Sequence, residues 1–132
     1  MNEAGLKGQL AKSLRAELPG AVVYRHEDSF TAGIPDLSVT WRGRTVWVEV
    51  KLDRPGRKAR VTEAQHQALA QLPGYLVTYG SDSSGLKSVR IAPELGLSAF
   101  HTDACWSRLH QYVVHKVRQA VQQQHEQPFE RS

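Results

Sequence analysis

The chain reads as an α/β protein whose elements run α-β-β-β-α-β, followed by one more strand at the sheet edge and a long C-terminal helix. Three observations carry this. Leucines recur at helical spacing through residues 3–18, two alternating segments meet at Arg42-Gly43, and a second apolar stripe recurs at helical spacing from Thr102 to about Gln124. With 132 residues the chain has the size of a single domain. We place that domain at 1–125, its core at about 2–92, and expect a frayed tail from Gln122 and a flexible end at 126–132.

The first helix is expected from Glu3 to Leu18, stopped by Pro19-Gly20. At 100° per residue Leu6, Leu10, Leu14 and Leu18 share one face with Glu3 at its centre, and Glu17 lies nearby in the last turn. An acid at a helix N-terminus also suits the dipole, so Glu3 has a plain structural reading as well. Ala21 to His26 forms the first strand and leads into a polar loop at Glu27 to Ala32, where His26, Ser29 and Thr31 are candidate phosphate contacts.

Asp36 to Trp41 and Arg44 to Lys51 alternate polar and apolar residues, with the turn at Arg42-Gly43. A symmetric hairpin places Trp41 opposite Arg44, Thr40 opposite Thr45, Val39 opposite Val46, Ser38 opposite Trp47 and Leu37 opposite Val48. Extended by one pair, it sets Asp36 opposite Glu49. Like charges so placed are destabilising, and folding alone gives no reason for them. A hard divalent cation, Mg²⁺ with Mn²⁺ as substitute, takes oxygen ligands and relieves the repulsion. Lys51 projects from the same face as Glu49. The alternative is a solvated hairpin face with one Glu–Lys pair.

A basic loop follows directly. Lys51, Arg54, Arg57, Lys58 and Arg60 face a single acid, Asp53, and Pro55-Gly56 breaks any helix there. With Arg42 and Arg44 at the hairpin tip, these residues suit a phosphate backbone, although a basic solvated loop reads the same way. The net charge of +4 and pI near 9.5 agree with an anionic partner. Thr62 then opens a helix running to Leu72, with Gln65 in a capping box and also on the inward side among Val61, Ala68 and Leu72. Tyr75 to Tyr79 and Lys87 to Ile91 are strands, the latter at the sheet edge, and the loop Gly80 to Gly85 is a turn. In the last helix Trp106, Leu109, Val113, Val117 and Ala120 either cover the sheet or join a second chain, while His110, His115 and His125 read as solvated. The lone Cys105 excludes an internal disulfide framework and reads as a small apolar helix residue. No membrane-length apolar run or signal-peptide core occurs, and we expect a cytoplasmic protein of a bacterial or phage-infected cell.

The motif Gly33-Ile34-Pro35-Asp36 with Glu49-Val50-Lys51 resembles the signature of the PD-(D/E)XK nuclease superfamily. Its context, including Arg42-Gly43-Arg44 and Thr62 with Gln65 after a basic loop, is similar to the virus-type replication-repair nuclease (VRR-NUC) branch, near the Holliday junction resolvases. The resemblance covers about residues 2 to 92. It implies a restriction-endonuclease-like fold, with a mixed central sheet flanked by helices, and Mg²⁺-dependent hydrolysis of DNA phosphodiesters. By that resemblance Asp36, Glu49 and the Val50 carbonyl hold the metal, Glu3 reaches it from the first helix, Lys51 serves the attacking water, and Gln65 points into the site. It further implies a homodimer acting on branched DNA in replication, repair or recombination. From a different class, a nucleic-acid-binding module without chemistry, or a nuclease subunit needing a recognition partner, remains the alternative.

Overall fold

The computed structural model describes residues 2–26, 33–93, 100–103 and 106–126. Its elements are α1 (Glu3–Glu17), β1 (Val22–Arg25), β2 (Leu37–Trp41), β3 (Arg44–Asp53), α2 (Glu63–Gln71), β4 (Gly74–Ser81), β5 (Lys87–Ala92), β6 (Phe100–Asp103) and α3 (Trp106–Glu126). The strands form one sheet in sequence order, β1-β2-β3-β4-β5-β6. Only β3 and β4 run parallel, bridged by the α2 crossover that a parallel pair requires. The sheet is therefore mixed and carries helices on both faces.

Alternation along the strands sorts residues between those faces. Leu37, Val39, Val46, Val48, Val50, Val77, Tyr79, Val89 and Ile91 are buried on one side. There they meet the α1 stripe Leu6, Leu10, Leu14 and Leu18 and the α3 residues Leu109, Val113 and Val117. Asn2 caps α1 by accepting the Gly5 amide at 2.8 Å. The opposite face carries Ser38, Trp47, Glu49, Lys51, Thr78 and Arg90, and α2 covers only part of it. There Leu69 of α2 packs on Gly74, whose added Cβ would lie 2.8 Å from the leucine.

The hairpin register agrees with the expected pairing from Trp41↔Arg44 to Leu37↔Val48. Arg42 (φ 51°) and Gly43 (φ 80°) make its turn, both left-handed as a two-residue hairpin loop needs. Three expectations are corrected. Lys87–Ala92 is not an edge strand, because β6 pairs beyond it. The last helix starts at Trp106 rather than Thr102, since residues 100–103 extend the sheet, and it continues through Gln122 to Glu126. His110 is not solvated: it lies half-buried between α1 and α3, 3.0 Å from the Ser13 hydroxyl, and burial lowers its pKa. Of the two destinations open to the apolar α3 stripe, the structure shows the chain's own core, with Leu109, Val113 and Val117 fully buried. Ser29, Thr31, Cys105 and the 127–132 tail lie outside the described residues, as does the side chain of His125.

Candidate functional site

The site forms where β2 stops short. β3 runs ten residues, but β2 covers it only from Arg44 to Val48. Beyond that point the β3 amides facing the missing partner need other acceptors. Two carboxylates supply them. Asp36 Oδ2 accepts the Val50 amide at 2.8 Å, and Glu3 Oε2 accepts the Leu52 amide at 3.2 Å. In a strand the N–H and C=O of one residue project to the same side. The Val50 carbonyl therefore opens into the same gap, between the Asp36 and Glu3 contacts.

Asp36 thus lies one residue past the end of the ladder, its side chain turned onto β3. Its other oxygen, Oδ1, is 3.2 Å from Lys7 Nζ. Lys7 stands one helical turn after Glu3 on the same side of α1, so the two reach the strand end together. The segment leading to Asp36 is fixed by Gly33, which has φ +85° and lies so close to α2 that an added Cβ would be 2.5 Å from the Ala64 carbonyl oxygen. Only glycine fits both constraints. Pro35 is buried, and Asp36 O accepts the His26 amide at 2.8 Å. His26 in turn bonds Ser38 Oγ at 2.7 Å and packs on Trp47, with ring centroids 5.2 Å apart.

Glu49 is 2% exposed. Its Oε2 accepts Gln65 Nε2 at 3.0 Å and lies 3.4 Å from Lys51 Nζ, while Oε1 is buried without a hydrogen-bond partner. Burial first, and then the Asp36 charge, push its pKa up from 4.5 to about 7 against the opposing pull of Lys51. The two expected roles of Gln65 coexist. Its Oε1 accepts the Thr62 amide at 2.9 Å and closes the capping box, and its Nε2 holds Glu49. One amide anchors the start of α2 and orients a buried carboxylate.

Glu3, Asp36, Glu49, Lys51 and Gln65 are therefore brought to one end of the sheet. The basic loop joins them: Arg54, Arg57, Lys58 and Arg60 line a cavity of about 410 Å³ together with Glu3 and Leu52. Its turn is closed by reciprocal Arg54 and Arg57 backbone bonds of 2.8 Å, and Asp53 Oδ1 accepts the Ala59 amide. Arg42 and Arg44 do not belong to this cluster. They stand at the hairpin tip, five residues or roughly 17 Å along the strand from Glu49, and the Arg42 guanidinium lies over Trp41 at 4.2 Å. Glu17 is also remote, paired with Arg118 at 3.6 Å.

A hard divalent cation fits this donor set on one count above all: a buried, unpartnered carboxylate oxygen beside a second carboxylate. Asp36, Glu49 and the Val50 carbonyl are the oxygen donors of the kind such an ion takes. Among the described residues no group of three or more His, Cys, Asp or Glu side chains converges as a metal cluster, and Glu3 stands with the Leu52 amide. Lys7 and Arg90 were not singled out in the sequence. The i,i+4 spacing from Glu3 was the available signal for Lys7; Arg90 had none beyond alternation along its strand. No model of a known protein family matches the chain, and no curated protein matches it. Among the described residues no helix is long and apolar enough to cross a membrane.

Proposed function

We propose that this protein is a divalent-metal-dependent phosphodiesterase acting on nucleic acid. The observation that carries the reading is Glu49, a buried carboxylate with one oxygen unpartnered, set beside Asp36 at a strand end bordered by a basic loop. A bound Mg²⁺ supplies a Lewis acid for the phosphoryl oxygen and lowers the pKa of its water. The chain's own groups do the rest. The Val50 amide and Lys7 fix Asp36, Gln65 fixes Glu49, and the Lys51 ammonium, 12% exposed, stands where it can orient an attacking water and offset charge developing on phosphate.

The particular enzyme we infer is a DNA endonuclease of the PD-(D/E)XK kind, related to the VRR-NUC and junction-resolving branches and acting on branched DNA as a homodimer. The motif residues Asp36, Glu49 and Lys51 support this, as does the element order α-β-β-β-α-β on a mixed sheet. Incubation with labelled linear, flap and four-way-junction DNA, in Mg²⁺ or in EDTA, tests it. Cleavage of the junction in Mg²⁺ alone is expected, and turnover persisting in excess EDTA removes the metal mechanism. A second reading, a binding module without chemistry, is favoured by the Glu49 carboxylate already being held by Gln65 and Lys51. The same assay separates the two, since that module retains DNA without cutting it.

A further inference from the structure

Beside the carboxylate pair, the sheet face not covered by α2 holds a row that runs from the motif lysine to two residues, Thr78 and Arg90, that neither the motif nor the basic loop accounts for. Lys51 pairs in register with Thr78 on β4, and Thr78 with Arg90 on β5. All three side chains project from one face and stand in line across three adjacent strands, about 4.8 Å apart from strand to strand. Lys58 closes the row from the basic loop. These residues, with Asp53 and Leu76 among the others, line a cavity of about 140 Å³. That space is large enough for one phosphodiester group.

Asp53 organises this cleft. Its Oδ2 lies 3.5 Å from the Arg90 guanidinium, and its Oδ1 accepts the Ala59 amide at 2.6 Å, which draws the loop bearing Lys58 toward the sheet. With one acid against three cations the cleft stays positive. Thr78 adds a neutral donor in its floor, and Leu76 adds an apolar surface on the side of Glu49.

Resting on the nuclease reading, we propose that this cleft is a subsite for the phosphate next to the scissile one. The cut strand then crosses the sheet from Asp36 and Glu49 toward β5, away from the hairpin tip. Arg90 and Lys58 are its positioning residues, and the favoured substrate is a polynucleotide strand rather than an isolated phosphodiester.

The test is binding of a short labelled single-stranded oligonucleotide in EDTA, over a salt series, to wild type, Arg90→Ala, Arg90→Lys, Lys58→Ala and Lys12→Ala. Lys12 is exposed on α1 and controls for loss of one charge. Arg90 is largely exposed, so its variants keep the fold. We expect Arg90→Ala and Lys58→Ala each to weaken binding about fivefold and to lower the salt slope by about 0.7, the share of one phosphate contact on a single strand. Arg90→Lys should recover part of the affinity and Lys12→Ala should bind as wild type. If Arg90→Ala and Lys58→Ala match Lys12→Ala while wild-type protein binds and cuts DNA, the subsite is wrong and the nuclease reading stands. If wild-type protein binds no oligonucleotide at all, the subsite falls, and the nuclease reading is decided separately by cleavage of the four-way junction in Mg²⁺.

Discussion

Replacing Glu49 with glutamine should change how stability depends on pH more than it changes stability at any single pH. The Glu49 carboxyl titrates near 7 in the folded chain, against 4.5 ordinarily. Below pH 4.5 it is protonated whether the chain is folded or not, and the full contribution to stability is present. As pH rises, the unfolded chain loses this proton first and folding becomes progressively less favourable, until the folded pKa is passed. The gap between 4.5 and about 7, at 1.36 kcal/mol per pH unit, amounts to about 3 kcal/mol. Glutamine keeps an acceptor for Gln65 and abolishes the titration. It also puts an amide N–H₂ where Oε1 has no partner, so its stability at low pH should fall below wild type. The difference between the two proteins should then move toward the variant by about 3 kcal/mol from pH 4.5 to 8. At a urea m-value of about 1.5–2 kcal/mol/M that is a relative midpoint shift of about 1.5–2 M. Urea unfolding at a series of pH values in EDTA measures it. Because the two chains share every other group, parallel midpoint curves would refute the buried-carboxylate argument.

Other perturbations reach the same site from different sides. Gly33→Ala combines a φ of +85° with a Cβ 2.5 Å from the Ala64 oxygen, and should cost about 2–4 kcal/mol by chemical denaturation. A cost under half a kcal/mol would show that the approach to Asp36 is not pinned to α2. Gln65→Glu should preserve the cap on α2, since a carboxylate still accepts the Thr62 amide, while raising the Glu49 pKa further; Gln65→Ala should lose both bonds and about 1–2 kcal/mol. Equal pH profiles for the two variants would argue against the split role. Lys51→Ala should abolish cleavage yet leave divalent-ion binding in place, as judged by calorimetry, because its ammonium is not a ligand. Changing Arg54, Arg57 and Lys58 together should weaken DNA affinity and flatten its salt dependence, and an unchanged salt slope would mark the loop as ordinary solvated surface.

The central hairpin was legible in the sequence because two signals agreed there, a strict period of two and a turn dipeptide able to take left-handed backbone angles. Glu3 was legible because a charge in line with a buried leucine stripe is out of place on an ordinary amphipathic helix. The relation of Asp36 to Glu49 was legible as proximity but not as geometry: the ladder ends at Leu37, and Asp36 turns onto the Val50 amide instead of completing another pair. Alternation predicts which face a residue takes, not where a strand stops. Lys7 escaped notice because a half-exposed helix lysine reads as solvated until the strand end it reaches is known. Arg90 needed the β3-β4-β5 register, a product of tertiary pairing. Thr102 and Asp103, the end of the strand at residues 100–103, fall inside the helix expected from Thr102 because four residues carry too little periodicity to separate strand from helix. The α3 stripe had two destinations on pattern alone, and packing against α1 and the sheet selected one.

The central claim is that Asp36 and Glu49 together hold a divalent cation, and calorimetric titration of Mn²⁺ into wild-type protein and Asp36→Asn at pH 8 tests it most directly. The account predicts a saturable uptake of one Mn²⁺ per wild-type chain and its loss in Asp36→Asn. Uptake by Asp36→Asn as tight as by wild type, or none by either, would contradict it.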